Sequence, residues 1–171
     1  MKHSRSIVLG LALLLAAGAH ATDVRMAGGA VGFKVPDSWV DIMDTQGDPE
    51  ARVFQVPDPS PSAASTLARV TVTVKQVADA SAFQQYLDGA IGKAKALTGY
   101  QPAASGQGGS DHFVYTAQEA GQQFSYYERY WLKGQHAIQL RCVRPAASQA
   151  GDGWTHNFDQ GCQRIAAQLN G

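Results

Sequence analysis

Apolar and polar residues alternate with a period of two in several short stretches and with a helical period in two longer ones. Val31, Phe33 and Val35 alternate with Gly32 and Lys34, the pattern of a half-buried strand. Pro36 has no N–H for a sheet ladder, so the strand ends there or lies on an edge. Asp37-Ser38 continues the turn, and Trp39-Val40-Asp41-Ile42 begins a new extended piece. A tryptophan just past such a turn is expected to fold back over the end of the core. Asp44–Glu50 reads as a polar turn, and Arg52–Val56 alternates again. The clearest strand is Leu67–Val77, with Val70, Val72 and Val74 on one face and Arg69, Thr71, Thr73 and Lys75 on the other. Before all of these, Thr22–Ala30 reads only as a small-residue lead-in.

Phe83, Tyr86, Leu87, Ala90, Ile91, Ala94 and Leu97 recur at helical spacing, one apolar stripe of a helix. Asp79 or Ser81 is its expected cap. Gly89 and Gly92 weaken this helix, or else allow it to pack closely on the sheet. Gly99 ends it. Three strands should follow, His112–Gln118, Gln122–Leu132 and Gln135–Val143, with Gly121 and Gly134 at the two hairpin turns. The register of the first hairpin is left open. For the second, a three-residue loop Leu132-Lys133-Gly134 is expected, because it brings Phe124, Tyr126 and Tyr130 to the same face as Ile138, Leu140 and Cys142. Asp152 is the expected cap of a final helix, Trp154–Leu169, whose apolar stripe is Trp154, Phe158, Cys162, Ile165 and Leu169.

The first residues add a compartment. Lys2 and Arg5 precede the apolar run Ile7–Ala17, and Ala19-His20-Ala21 follows. This is the layout of a secretory signal peptide, residues 1–21, cleaved after Ala21. The run is short for a bilayer span, and the alternative is an uncleaved anchor. The remaining 22–171 is of a size for a single domain. An exported, periplasmic protein is expected, with secretion as the variant. The chain has 14 basic and 14 acidic residues, which gives no electrostatic reason to bind nucleic acid or an anionic membrane. No stable membrane insertion is expected after cleavage.

Export also bears on the two cysteines, Cys142 and Cys162. Disulfides persist in oxidising compartments, and both patterns above turn these side chains inward. A Cys142–Cys162 bridge is expected; two buried free thiols are the alternative. Two cysteines are too few for a cysteine-rich zinc site.

Candidate chemistry concentrates in Phe124–Trp131. Tyr127, Arg129 and Trp131 alternate opposite the expected core face, and Gln139 and Arg141 lie near them in the chosen register. Tyr127, Arg129, Trp131 and Arg141 could grip a carboxylate, a sugar or a peptide through forked hydrogen bonds and stacking. The plainer reading is a central strand covered on both sides, with an arginine paired to an acid. His112, His136 and His156 have no metal-ligand spacing. Gly109-Ser110-Asp111-His112 holds triad residue types, but neighbours on an extended chain point apart, and no GxSxG elbow is present. Gly106–Asp111 lacks the spacing of a phosphate loop and runs into a strand. Pro57, Pro59 and Pro61 punctuate a loop that is either a binding lid or a plain connection. No catalytic residue, metal site or cofactor is assigned.

The order of elements, with the Phe33-x-Val35-Pro36-x-x-Trp39 opening, resembles the PsbP-like fold superfamily, including DcrB-like bacterial exported proteins. The resemblance implies an α+β fold, an antiparallel β-sheet sandwiched by helices (an α/β/α sandwich). It also implies a non-catalytic adaptor or assembly factor whose partner is another envelope protein. A toxin-immunity protein would fit the same size and export signal. A small-ligand binder using the aromatic and arginine face, or a hydrolase without a recognisable motif, are the alternatives. The bridge is not a general feature of that family.

Overall fold

The computed structural model describes residues 20–60, 67–103 and 112–171. The expected signal peptide, all but its last two residues, lies outside them, as do Pro61 and the Gly106–Asp111 motif. In chain order the elements are β1 (Ala21–Met26), a short 3-10 turn, β2 (Val31–Pro36), β3 (Val40–Thr45), β4 (Glu50–Gln55) and β5 (Arg69–Gln76). Then come α1 (Ala80–Lys95), β6 (Gln101–Pro102), β7 (His112–Glu119), β8 (Gln122–Lys133), β9 (His136–Pro145) and α2 (Asp152–Asn170). β3 to β9 form one seven-stranded antiparallel sheet in the order β3-β4-β5-β9-β8-β7-β6, and β1 and β2 form a separate hairpin. The α+β architecture with helices on both sides of an antiparallel sheet is as expected.

One side of the sheet is covered by α2 and the β1–β2 hairpin. Val70, Val72, Val74, Ile138 and Leu140 meet Phe158, Cys162, Ile165, Ala166 and Leu169, with Val24, Met26, Val31, Phe33 and Val35 closing the layer. Cys142 and Cys162 are joined there, their Cα atoms 6.4 Å apart. Trp39 folds back as expected. It is half-buried against this core, and its target is α2 at Gly161, where a Cβ would stand 2.6 Å from Trp39 Cζ2. Trp154 lies farther along the same helix and donates from Nε1 to the carbonyl of Pro57 at 2.8 Å.

The other side is covered by α1, which packs Ala94, with Leu97 beside it, on Tyr115, Ala117, Phe124, Tyr126 and Val143. Asp79 is the N-cap, its Oδ1 accepting from Ala82 N at 2.8 Å. Gly89 and Gly92 do not serve close packing: a Cβ at either meets nothing within 4 Å.

Several expectations are corrected. The lead-in is a strand, β1, whose Val24 and Met26 are buried. The cap position of α2 is Gly151, and Asp152 is inside the first turn, where its charge suits the helix dipole. The three-residue loop is not formed. Lys133 pairs with His136, leaving a two-residue turn, Gly134-Gln135, with Gly134 at φ 56°. The first hairpin also turns on two residues, Ala120 and Gly121, at φ 49° and 80°, the backbone that twisted strands prefer. A one-residue difference in loop length reverses the faces. Ile138, Leu140 and Cys142 therefore share their face with Trp131, Arg129 and Tyr127. Phe124, Tyr126 and Tyr130 lie on the α1 side.

Candidate functional site

The corrected register divides the residues expected to form one surface. Tyr127, Arg129 and Trp131 lie on the α2 side. Trp131 is buried and donates from Nε1 to Asn170 Oδ1 at 3.1 Å. Arg129 places its guanidinium 5.0 Å from the Trp131 ring centre. Tyr127 packs half-buried against the α2 core, with the His112 ring 6.3 Å away. Arg141 stands on the opposite side of the sheet, paired in register with Glu128. The structure gives no single site containing all four.

On the α1 side, strand pairing lines up rows that cross the sheet. One runs Met43, Val53, Thr71, Arg141, Glu128, Phe113; the next runs Ala51, Thr73, Gln139, Tyr130. α1 lies over the far end of these rows. Between its near flank and the sheet is a cleft of about 480 Å³, lined among others by Tyr86, Gly89, Lys93, Thr73, Gln139 and Arg141.

Its floor is a polar network centred on Glu128, the one charged residue buried among the described residues. Glu128 Oε1 accepts from Tyr115 Oη at 2.5 Å and lies 3.0 Å from Arg141 Nε. Oε2 accepts from Tyr130 Oη and, at 3.0 Å, from Gln139 Nε2. Tyr86 on α1 donates to Gln139 Oε1 at 3.0 Å, tying the helix to the sheet. A buried carboxylate is tolerated only when it is hydrogen-bonded and paired, and here three hydrogen-bond donors, Tyr115, Tyr130 and Gln139, and the Arg141 ion pair meet that need. A second acid, Glu119, accepts from Arg69 Nη2 at 2.6 Å and from Tyr126 Oη, while the Arg141 guanidinium lies 5.2 Å from the Tyr126 ring centre.

The electrostatics follow from this arrangement. Burial, then the Glu128 charge, pushes Tyr86 up to about 12. The same two causes, in the same order, raise Tyr115 and Tyr130 well above the ordinary phenol range. Burial and the hydrogen bond to Glu119 raise Tyr126. Burial favours the neutral form of Arg141, but the Glu128 charge outweighs it and its pKa is raised. For Glu119 burial acts upward, but the bonds from Arg69 and Tyr126 prevail and its pKa is lowered.

Among the network's members, Glu128 and Tyr115 were not singled out from the sequence, Tyr86 was read only as part of an apolar helix stripe, and Gln139 was placed near Tyr127, Arg129 and Trp131. Only a two-residue turn at Gly134-Gln135 pairs Glu128 with Arg141. His112, His136 and His156 stay apart, on β7, β9 and α2. Among the described residues no group of three or more His, Cys, Asp or Glu could hold a metal ion. No described helix is long and apolar enough to cross a membrane.

Beyond the cleft, among the described residues, neither helix packs on the same side of β3 and β4. Val40 and Met43 on the edge strand β3 are 52% and 53% exposed. In register Met43 continues into the half-buried Val53 and Thr71, Val40 into Gln55 and Arg69, and Thr45 into Ala51 and Thr73.

No protein-family model matches the chain, and no curated protein does. Solved structures do. The Ran-binding protein Mog1p of Saccharomyces cerevisiae superposes with a TM-score of 0.54 at 13% identity, over 88% of this chain and 94% of that one. LpqN of Mycobacterium tuberculosis, described as involved in cell envelope biogenesis, gives 0.48 at 14% identity, over 88% and 83%. PA94 of Pseudomonas aeruginosa gives 0.48 at 16%, over 84% and 94%. At such identities the likeness is one of architecture: the chain has the Mog1/PsbP-like fold.

Proposed function

We propose that this chain is a non-catalytic binding protein of the bacterial envelope, exported to the periplasm, that docks a protein partner on the open half of its sheet. The observation that carries the reading is the sheet face beside α1 formed by the exposed Val40 and Met43 with the half-buried Val53, Ala51, Thr71 and Thr73. Large apolar side chains left half in water on a continuous sheet surface are what a partner's apolar face would cover. The charges flanking the patch on this face are paired, Arg69 with Glu119 at 2.6 Å and Lys75 with Asp48 at 3.5 Å; Arg52, Asp41 and Asp44 pair on the opposite face. The bulge between Asp41 and Met43 blunts strand-to-strand addition at this edge, so the face, rather than the edge, is offered. The engaged Glu128 supports the non-catalytic part, since three hydrogen-bond donors and the Arg141 ion pair already occupy its oxygens. Mog1p, with the same fold, is a Ran-binding protein. An adaptor, an assembly factor or a toxin-immunity protein would each act through such a surface.

Site-specific photo-crosslinking in the periplasm tests this. A crosslinking residue at Met43 or Val53 should capture the same partner, while one at the exposed Ala167 on α2 should not. Val53→Arg, folded by circular dichroism, should abolish the adduct formed from Met43. Equal capture at all three positions, or an adduct that survives Val53→Arg, would rule the surface out.

A further inference from the structure

We propose that the cleft between α1 and the sheet binds a small organic carboxylate. This site adjoins the proposed docking face, sharing Thr73 with it, and does not depend on that reading. The cleft holds about 480 Å³, within the usual range of small-molecule sites. Its charges are Glu128, Arg141 and Lys93, so it carries one net positive charge. Glu128 is already neutralised by Arg141.

Two cations retain donors. Lys93 has no hydrogen bond or ion pair among the described residues. Arg141 has five N–H donors. Its Nε faces Glu128, and Nη2 makes one long bond, to Tyr115 Oη at 3.4 Å. Nη1 has no partner among the described residues, and the side chain is 35% exposed. A carboxylate is the planar acceptor that such a guanidinium fits. The walls beside these cations are apolar: Ala90, Ala94 and Leu97 on the helix, Pro49 across from them. Thr73 and Gln139 complete the floor with neutral polar groups.

Gly89 lines the mouth of the cleft. Gln85, Gly89 and Lys93 stand one helical turn apart on the flank facing the sheet, and the middle position has no side chain. A Cβ there meets nothing within 4 Å, so the notch is open space. In a helix interior glycine is a poor choice, and no packing contact in this structure requires it. The ligand this site takes is therefore a compact acid, its carboxylate between Lys93 and Arg141 and its apolar body in the Gly89 notch.

Benzoate is the probe, with benzamide as its uncharged counterpart, followed by amide NMR shifts on the full mature chain. Benzoate should give saturable shifts at Thr73, Gly89, Lys93 and Arg141, and benzamide should not at equal concentration. Lys93→Gln, at an exposed position, should weaken benzoate about tenfold, the loss of one charge-assisted hydrogen bond. Gly89→Leu should fill the notch and abolish binding while raising the melting temperature, because leucine is the better helix former. Equal responses to benzoate and benzamide would overturn the carboxylate assignment. Shifts confined to other regions, no saturable response, or full binding by Gly89→Leu would overturn the site.

Discussion

On the α2 side the sheet presents Val70, Val72, Val74, Ile138 and Leu140 to an apolar helix stripe and a covalent cross-link. On the α1 side the same two strands, β5 and β9, present Thr71, Thr73, Gln139 and Arg141, with buried Glu128 beside them on β8. The first surface is held by area removed from water, which is non-directional and tolerant of small shifts. The second depends on donors and acceptors meeting at fixed distances, so it fails sharply when one partner is lost. With its apolar core on one side, the sheet leaves the polar network and the cleft to the other.

Removing the acid should be the most damaging change. Glu128→Ala leaves Arg141 without its counter-charge and two tyrosine hydroxyls without acceptors, at a cost of about 3–5 kcal/mol. Urea denaturation followed by circular dichroism measures it. A cost below about 1 kcal/mol, the scale of an exposed pair, would show that the α1 side is held no differently from a solvated surface. On the dry side, replacing both Cys142 and Cys162 by serine should lower stability by about 3 kcal/mol, the chain-entropy value for a loop of this length. Reductant should shift the denaturation midpoint of the wild-type chain in the same direction and leave the serine variant unchanged.

A smaller loss is expected at the seam between Trp39 and α2. Gly161→Ala puts a methyl group against the Trp39 ring, and such overpacking costs about 1–3 kcal/mol. Trp39 fluorescence should change with it, in a variant that retains Trp39 and replaces Trp131 and Trp154 by phenylalanine. The smallest effect belongs to Glu119. Its pKa is lower in the folded chain than in the unfolded one. Its contribution is therefore complete above the ordinary carboxylate pKa and is lost as pH falls through the folded value. Glu119→Gln should cost under about 1 kcal/mol at neutral pH, and the gap between variant and wild type should close in acid. A gap that widens in acid would reverse the assigned sign.

What the sequence made legible was set by how one-sided each pattern is. Val70, Val72 and Val74 alternate with charged and hydroxyl residues, so β5 could be oriented from its own composition. β9 is equally plain: Ile138, Leu140 and Cys142 against Gln139 and Arg141. Cys142 was therefore turned inward correctly although its hairpin loop was not. β8 has aromatics on both faces, Phe124, Tyr126 and Tyr130 against Tyr127 and Trp131, because helices or core cover both. Alternation then has no preferred phase, and the loop length chosen to align it was one residue too long. The candidate site inherited that slip. β1 escaped notice for the opposite reason, since only Val24 and Met26 break a polar run.

The pairing of β5 with β9 along its whole length, from Arg69 with Val143 to Gln76 with His136, has a kinetic side. The two central strands are distant in the chain, and everything from Val77 to Gln135 must be looped out to join them. Such long closures slow folding relative to hairpins between neighbours. The middle of the sheet cannot assemble until β9, His136–Pro145, has been synthesised, and Cys162 emerges later still. Bridge formation is thus confined to the end of maturation, and a chain cut short of α2 would present an uncovered apolar sheet and a solitary thiol.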